Sequence, residues 1–220
     1  MFQPIVSLAD GEVVGMETLT RFPRLRNDTP EVFADARRLQ VGHELELRAV
    51  AAALDELPRL PDDIYLAVNV GTAAAASDEL VELLRATDTR RIVVEITEHE
   101  AVEDYPALTA ALDALGDLGV RLAIDDVGTG FSGLDQILRL APEILKIDGA
   151  LVHDVDTSPD KQAMIAALLN FAGRVGTTIV AEHVERAEEL TTLRTLGVAY
   201  GQGYLFGRPS PLAAPPPIGQ

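Results

Sequence analysis

The sequence predicts an α/β fold: a TIM-like (β/α)8 barrel modified with one antiparallel strand. Three observations predict it. Eight short apolar runs rich in Val and Ile recur along the 220 residues, the pattern of strands buried on both faces. Helix-like segments separate most of them, as parallel strands require. Only Ala9, Asp10, Gly11 and Glu12 lie between the first two runs. That is room for a hairpin but not for a parallel crossover, which needs about a dozen residues.

Taken in order, FQPIVSL (2–8) and VVGMETLT (13–20) form the hairpin. Residues 30–57 place Val32, Phe33, Ala36 and Leu39 at helical spacing before the strand IYLAVNV (64–70). DELVELLRA (78–86) reads as the helix before RIVVEIT (91–97), and YPALTAALDALGDLG (105–119) as the helix before RLAIDD (121–126). A short helix follows GTGFSG and precedes EILKID (143–148). DKQAMIAALLNFAGRVG (160–176) leads to TTIVAEHV (177–184), and RAEELTTLRTLG (186–197) to YGQGYLF (200–206). The helices ending at 119, 176 and 197 each stop at glycine, as helices commonly do. Residues 1–210 read as one domain, and residues 211–220 as a loose Pro-rich tail.

Hydrophobic residues make up 47% of the chain, enough for a sizeable core and against global disorder. No cysteine is present, so disulfides and thiolate zinc sites are excluded. No apolar run approaches a membrane span, and MFQPIVSLADGE lacks the flanks of a signal peptide, so the expected location is the cytoplasm. The formal net charge of −17 repels nucleic acid polymers and anionic lipid. Such a surface favours solubility; if the acids cluster at a site, a phosphate substrate needs cations there.

AIDDVGTGFSGL (123–134) can be read two ways. GTGFSG fits G-x-G-x-x-G, a strand precedes it, and Asp148 lies where a ribose-binding acid would. Against a dinucleotide seat stand the short following helix, the mid-chain position, and Asp125 and Asp126, whose charges would face a pyrophosphate. The glycines are better read as a mobile loop over a site.

Polar residues recur at strand ends: Glu17, Asn69, Glu95, Asp125 with Asp126, Lys146, Glu182 and Gln202. Parallel barrel strands point their C-terminal ends to one face, where active sites form. Any one of these residues alone is ordinarily a salt-bridge partner or a cap; Lys146 alone could pair with Asp148 or Asp125. Together they gather carboxylates that repel one another unless cations intervene. Oxygen ligands point to hard ions, Mg²⁺ or Mn²⁺. Two such metals about 3.5–4 Å apart clamp the attacking and leaving oxygens of a phosphoryl displacement, and Lys146 offsets phosphate charge or orients water.

With these motifs in place, the chain resembles the EAL-domain family, bacterial phosphodiesterases that linearise cyclic di-GMP. The likeness runs from FQPIV to YLFGRPSP and rests on ETL within E-x-L-x-R (17–21), VNV, EITE, DDVGTGFSGL, LKID, AEHVE and GQGYLFGRP. It implies that Glu17, Asn69, Glu95 and Asp125 hold one metal, and that Asp125 bridges to a second held with Asp126 and, directly or through water, Glu182. By the same resemblance, Lys146 contacts the nucleophilic water, Gln3 and Arg21 contact substrate, Gln202 supports them, and Glu98 anchors the glycine loop. The departures are Thr18 for Ala, Val127 for Phe, His183 for Gly, and residues 23–43, which lack the family's commoner pattern. None removes a metal ligand. The resemblance further implies a homodimer, and the start of the chain at the first motif suggests a piece of a larger protein with a sensor domain. The expected activity is metal-dependent hydrolysis of cyclic di-GMP to linear pGpG. The alternatives are an inactive domain that binds the nucleotide or a protein, and a barrel enzyme for another phosphate ester.

Overall fold

All eight expected strands form in the computed structural model, which describes residues 1–22, 29–97, 104–128 and 133–212. They are β1 (Phe2–Ser7), β2 (Val13–Thr18), β3 (Tyr65–Asn69), β4 (Ile92–Thr97), β5 (Arg121–Val127), β6 (Ile144–Ile147), β7 (Thr178–Ala181) and β8 (Tyr200–Gln202). They close into a barrel in sequence order. β1 is antiparallel to both β2 and β8, and every other pairing is parallel. The short connection dictates this: the Ser7 amide donates to the Glu12 carbonyl at 2.9 Å and the Gly11 amide to the Ser7 carbonyl at 2.9 Å. The chain therefore reverses at once and brings the start of β1 to the same end of the barrel as the other strands' C-termini.

The helices α1 (Thr29–Arg38), α2 (Gly42–Leu54), α3 (Thr72–Ala75), α4 (Asp78–Arg85), α5 (Tyr105–Asp117), α6 (Gly133–Leu140), α7 (Gly149–Val152), α8 (Pro159–Val175) and α9 (Ala187–Leu196) fill the connections. Their ends follow from sequence. Ser77, Asp104 and Ser158 cap α4, α5 and α8 by accepting from amides three residues on. Gly176 and Gly197 close α8 and α9 in the left-handed conformation, at φ 79° and 94°. The single helix expected over residues 30–57 is two. Gln40 takes φ 61° and breaks it, and Gly42 leaves space that a Cβ would contest with Arg37 Cγ at 2.8 Å. The single turns α3 and α7 are too short for periodicity to reveal.

Two apolar layers result. The larger lies between strands and helices, with Leu66, Leu80, Leu84, Ile92, Ile124 and Ile165 among its fully buried members. The smaller plugs the barrel interior with Ile5, Ala67, Val93, Ala123, Ile144 and Val180. That plug is what forces polar side chains one step further along each strand to stand at the mouth. Leu212 packs on the outer core, while residues 213–220 of the expected tail lie outside the described residues. Among the described residues no helix is long and apolar enough to cross a membrane.

Candidate active site

Strand side chains on one face recur every two residues. Two positions beyond the interior plug residues Ala67, Val93, Ala123, Ile144 and Val180 come Asn69, Glu95, Asp125, Lys146 and Glu182. Glu17 and Gln202 close β2 and β8 likewise. In the reversed β1 the corresponding residue precedes Ile5 and is Gln3. Every strand thus delivers one polar side chain to a single layer. Of these eight, all but Asn69 are buried.

Lys146 stands at the centre, 1% exposed. Its Nζ lies 2.9 Å from Glu95 Oε2, 3.0 Å from Glu182 Oε1, 3.3 Å from Asp125 Oδ1 and 3.5 Å from Glu17 Oε2. Burial by itself favours the neutral amine, but Glu17, Glu182, Glu95 and Asp125 outweigh it and hold the ammonium well above the ordinary lysine range. Burial pushes Glu95 and Glu182 well above the usual carboxylate range. Lys146 opposes this, while Glu17 and Asp125 add to it in both cases. One ammonium does not neutralise the cluster.

Asp125 and Asp126 reach the layer together because β5 bulges there. Against β6, Ile124 pairs with Leu145 and Val127 with Ile147, so two residues of β5 face Lys146 alone. Asp126 takes φ 60°, and its amide donates to Asp125 Oδ1 at 3.0 Å. Plain alternation would have sent Asp126 to the far face. As built, Asp125, Asp126 and Glu182 each offer an oxygen, all within 4.8 Å of one another, and so do Glu17, Glu95 and Asp125. Asp125 belongs to both groups. Clustered carboxylates, with no sulfur ligand available, fit a hard divalent cation.

The remaining expected residues surround this centre. Asn69 Nδ2 donates to Glu17 Oε1 at 2.9 Å, which leaves its Oδ1 without a hydrogen-bond partner among the described residues. Gln202 Nε2 bridges Gln3 Oε1 and Glu17 Oε2, and Gln202 Oε1 is buried without a partner among the described residues. Gln3 Nε2 donates to the Gly207 carbonyl at 3.1 Å. Arg21 bonds the Thr20 carbonyl at 2.8 Å, is exposed, and lines the mouth with no acidic partner among the described residues. Asp148 does not join the cluster: it caps α7, accepting from the Ala150 amide at 2.6 Å. Glu98 and most of the glycine loop, residues 129–132, lie outside the described residues.

A cavity of about 1180 Å³ opens over Glu17, Asn69, Asp125 and Asp126 and extends to α1 and α2. It exceeds the usual small-molecule range of roughly 300–1000 Å³. A smaller one of about 270 Å³ adjoins it at Gln3, Glu182 and Gln202. Nothing in the sequence marks three further residues as contributors to this region, although Phe33 lies on an apolar helical stripe. Glu46 on α2 accepts from the Gly71 amide at 3.1 Å, just beyond Asn69. Phe22 and Phe33 form an edge-on pair with centroids 5.9 Å apart on the cavity wall.

A family model described as the EAL domain matches residues 1–209. The chain belongs to the EAL domain family. Cyclic di-GMP phosphodiesterase NbdA of Pseudomonas aeruginosa is 31% identical over 229 residues, covering 97% of this EAL domain and 29% of that protein. The probable cyclic di-GMP phosphodiesterase PdeG of Escherichia coli is 31% identical over 221 residues, covering 94% and 44%. Klebsiella pneumoniae BlrP1, solved at pH 6 as a manganese and cyclic di-GMP complex, matches with a TM-score of 0.85 at 32% identity, covering 94% of this EAL domain and 54% of that chain. The EAL domain described here spans less than half the length of these curated relatives.

Proposed function

We propose that this EAL domain hydrolyses one phosphodiester of cyclic di-GMP to linear 5′-pGpG with the help of two divalent cations, Mg²⁺ or Mn²⁺. The observation that carries the proposal is the complete polar layer: five carboxylates and one ammonium leave four formal negative charges, which two divalent cations cancel. Relatives named as cyclic di-GMP phosphodiesterases support the substrate.

In this reading Glu17, Asn69, Glu95 and Asp125 would hold one cation, and Asp125, Asp126 and, directly or through water, Glu182 the other. When bound, the cations acidify water and offset charge on the phosphate. The chain's own residues do the rest. Lys146 keeps its ammonium fixed among four carboxylates, holds the attacking water and faces the negative charge that gathers in the transition state. Glu182, 3.0 Å from Lys146 in the same layer, is placed to take the proton that water loses. Arg21, Gln3 and Gln202 donate or accept along the sugar–phosphate ring, and Glu98 anchors the glycine loop. Water's oxygen bonds to phosphorus, the P–O3′ bond breaks, and O3′ takes up a proton, leaving a 5′-phosphate. Homodimer assembly, a sensor domain in the longer protein and a cytoplasmic location belong to the same proposal.

Incubation with cyclic di-GMP and Mg²⁺ or Mn²⁺, with products separated by chromatography, tests it. Metal-dependent appearance of pGpG supports the proposal. Cyclic di-GMP that is bound but stays intact with either metal would instead make the domain a binding module.

A further inference from the structure

The chain must turn sharply after β7. The Glu182 amide still donates to the Ile147 carbonyl at 3.1 Å, yet the Val184 amide already donates to the Gln202 carbonyl at 3.0 Å, and the Val184 carbonyl accepts from the Leu205 amide at 3.0 Å. The residue between, His183, absorbs the turn at φ 54°. Glycine occupies that region freely; other residues do so at a cost and persist where something compensates. Among the described residues nothing compensates through the imidazole. His183 is exposed, and its ring makes no hydrogen bond or ion pair among the described residues.

The ring is nevertheless oriented. A Cβ on Gly149 would lie 2.8 Å from His183 Cβ and 3.0 Å from its Nδ1, so the bare glycine at the start of α7 makes the seat for that edge. Nε2 is not among the His183 atoms nearest Gly149, and the residue itself stands at the mouth. His183 lines both cavities there, beside Asp125 and Asp126 in each. A strained, oriented imidazole with no partner among the described residues, at the junction of the two cavities, has the features of a ligand contact.

We propose that His183 is a substrate-binding residue whose Nε2 edge donates a hydrogen bond to the sugar–phosphate ring of the dinucleotide; this rests on the proposed function above. Either the neutral ring with its proton on Nε2 or the protonated ring can donate there. The turn's conformational strain is thereby offset by substrate affinity rather than by folding.

The test uses wild type, H183G and H183Q in Ca²⁺, which takes longer and looser bonds than Mg²⁺ and suits binding measurements better than turnover. Cyclic di-GMP is titrated by calorimetry, and each protein is melted without ligand. H183G should melt higher by roughly 2–4 °C, because glycine relieves the turn. It should bind about tenfold more weakly, the loss of one hydrogen bond to a charged ligand. H183Q keeps a nitrogen donor near the Nε2 position and should bind within about threefold of wild type. With Mn²⁺, H183G should raise KM and leave kcat unchanged. H183G binding as tightly as wild type would overturn the role of His183 alone. H183Q as weak as H183G would assign the effect to ring shape and overturn the hydrogen bond. Wild type that binds no cyclic di-GMP would overturn the substrate reading itself, and this inference with it.

Discussion

Lys146→Met removes the ammonium at the centre of the polar layer while keeping most of the side chain's volume. In wild type that ammonium lies within 2.9–3.5 Å of four carboxylates, and it is 1% exposed. Without it, Glu17, Glu95, Asp125 and Glu182 face one another across a buried space. Removing one partner of a buried ion pair costs about 3–5 kcal/mol. For a domain of this size that is a fall in Tm of roughly 6–20 °C. The carboxylates can escape part of this by taking up protons. Glu95 and Glu182 already hold protons above the usual carboxylate range, through burial and their acidic neighbours, against the pull of Lys146. For an acid whose folded pKa is raised, the stability contribution is full below the unfolded value and is lost as pH rises through the folded one. The Tm gap between K146M and wild type should therefore be small near pH 5 and largest near pH 8 in metal-free buffer. Added Mn²⁺ should raise the Tm of K146M more than that of wild type, because the same carboxylates then find cations. Thermal melts across pH, with chelator and with metal, measure all of this. A metal-free K146M that melts within 2 °C of wild type at pH 8 would show that the Lys146 ammonium does not hold these carboxylates together.

Three further outcomes follow from the same geometry. Glu17→Ala should abolish turnover while changing Tm far less than K146M does; near-wild-type kcat at saturating metal would remove Glu17 from the site. Asp126→Asn should lower the metal stoichiometry from two to one in calorimetry, since Asp125 belongs to both carboxylate groups and Asp126 to one; an unchanged stoichiometry would show that the bulge does not serve a cation. Metal binding should release protons from Glu95 and Glu182 and stabilise the fold by about 2.7 kcal/mol per site at a hundredfold excess over Kd, read as a rise in Tm. The metal-induced gain should grow as pH rises above the ordinary carboxylate range, and a gain that shrinks would contradict the raised proton affinities.

The strands were legible because their interiors are plugged by small and branched apolar residues. The polar residue after Val93, Ala123, Ile144 or Val180 could then be seen as the one at the strand end. The antiparallel β1 was legible from four connecting residues. Other features carry no local signal. Gln40 breaks the first long helix through a left-handed backbone that glutamine rarely adopts, so periodicity ran straight through it. The bulge that turns Asp126 to the same side as Asp125 depends on the pairing of β5 with β6 and not on either strand alone. Glu46 reaches the site from α2, more than twenty residues before the amide it holds. The ends of TTIVAEHV and YGQGYLF leave the sheet early: their apolar residues suit strands, but Glu182 and Gln202 must face the mouth.

The central claim is that this polar layer directs water onto a phosphodiester of cyclic di-GMP. Turnover in ¹⁸O-labelled water, followed by mass spectrometry of the dinucleotide, measures it directly. The expected product is linear pGpG carrying one ¹⁸O on its 5′-phosphate per turnover, formed with Mg²⁺ or Mn²⁺ and absent with chelator or in Glu17→Ala. Unlabelled, uncleaved cyclic di-GMP recovered from the metal-loaded wild-type protein would contradict it.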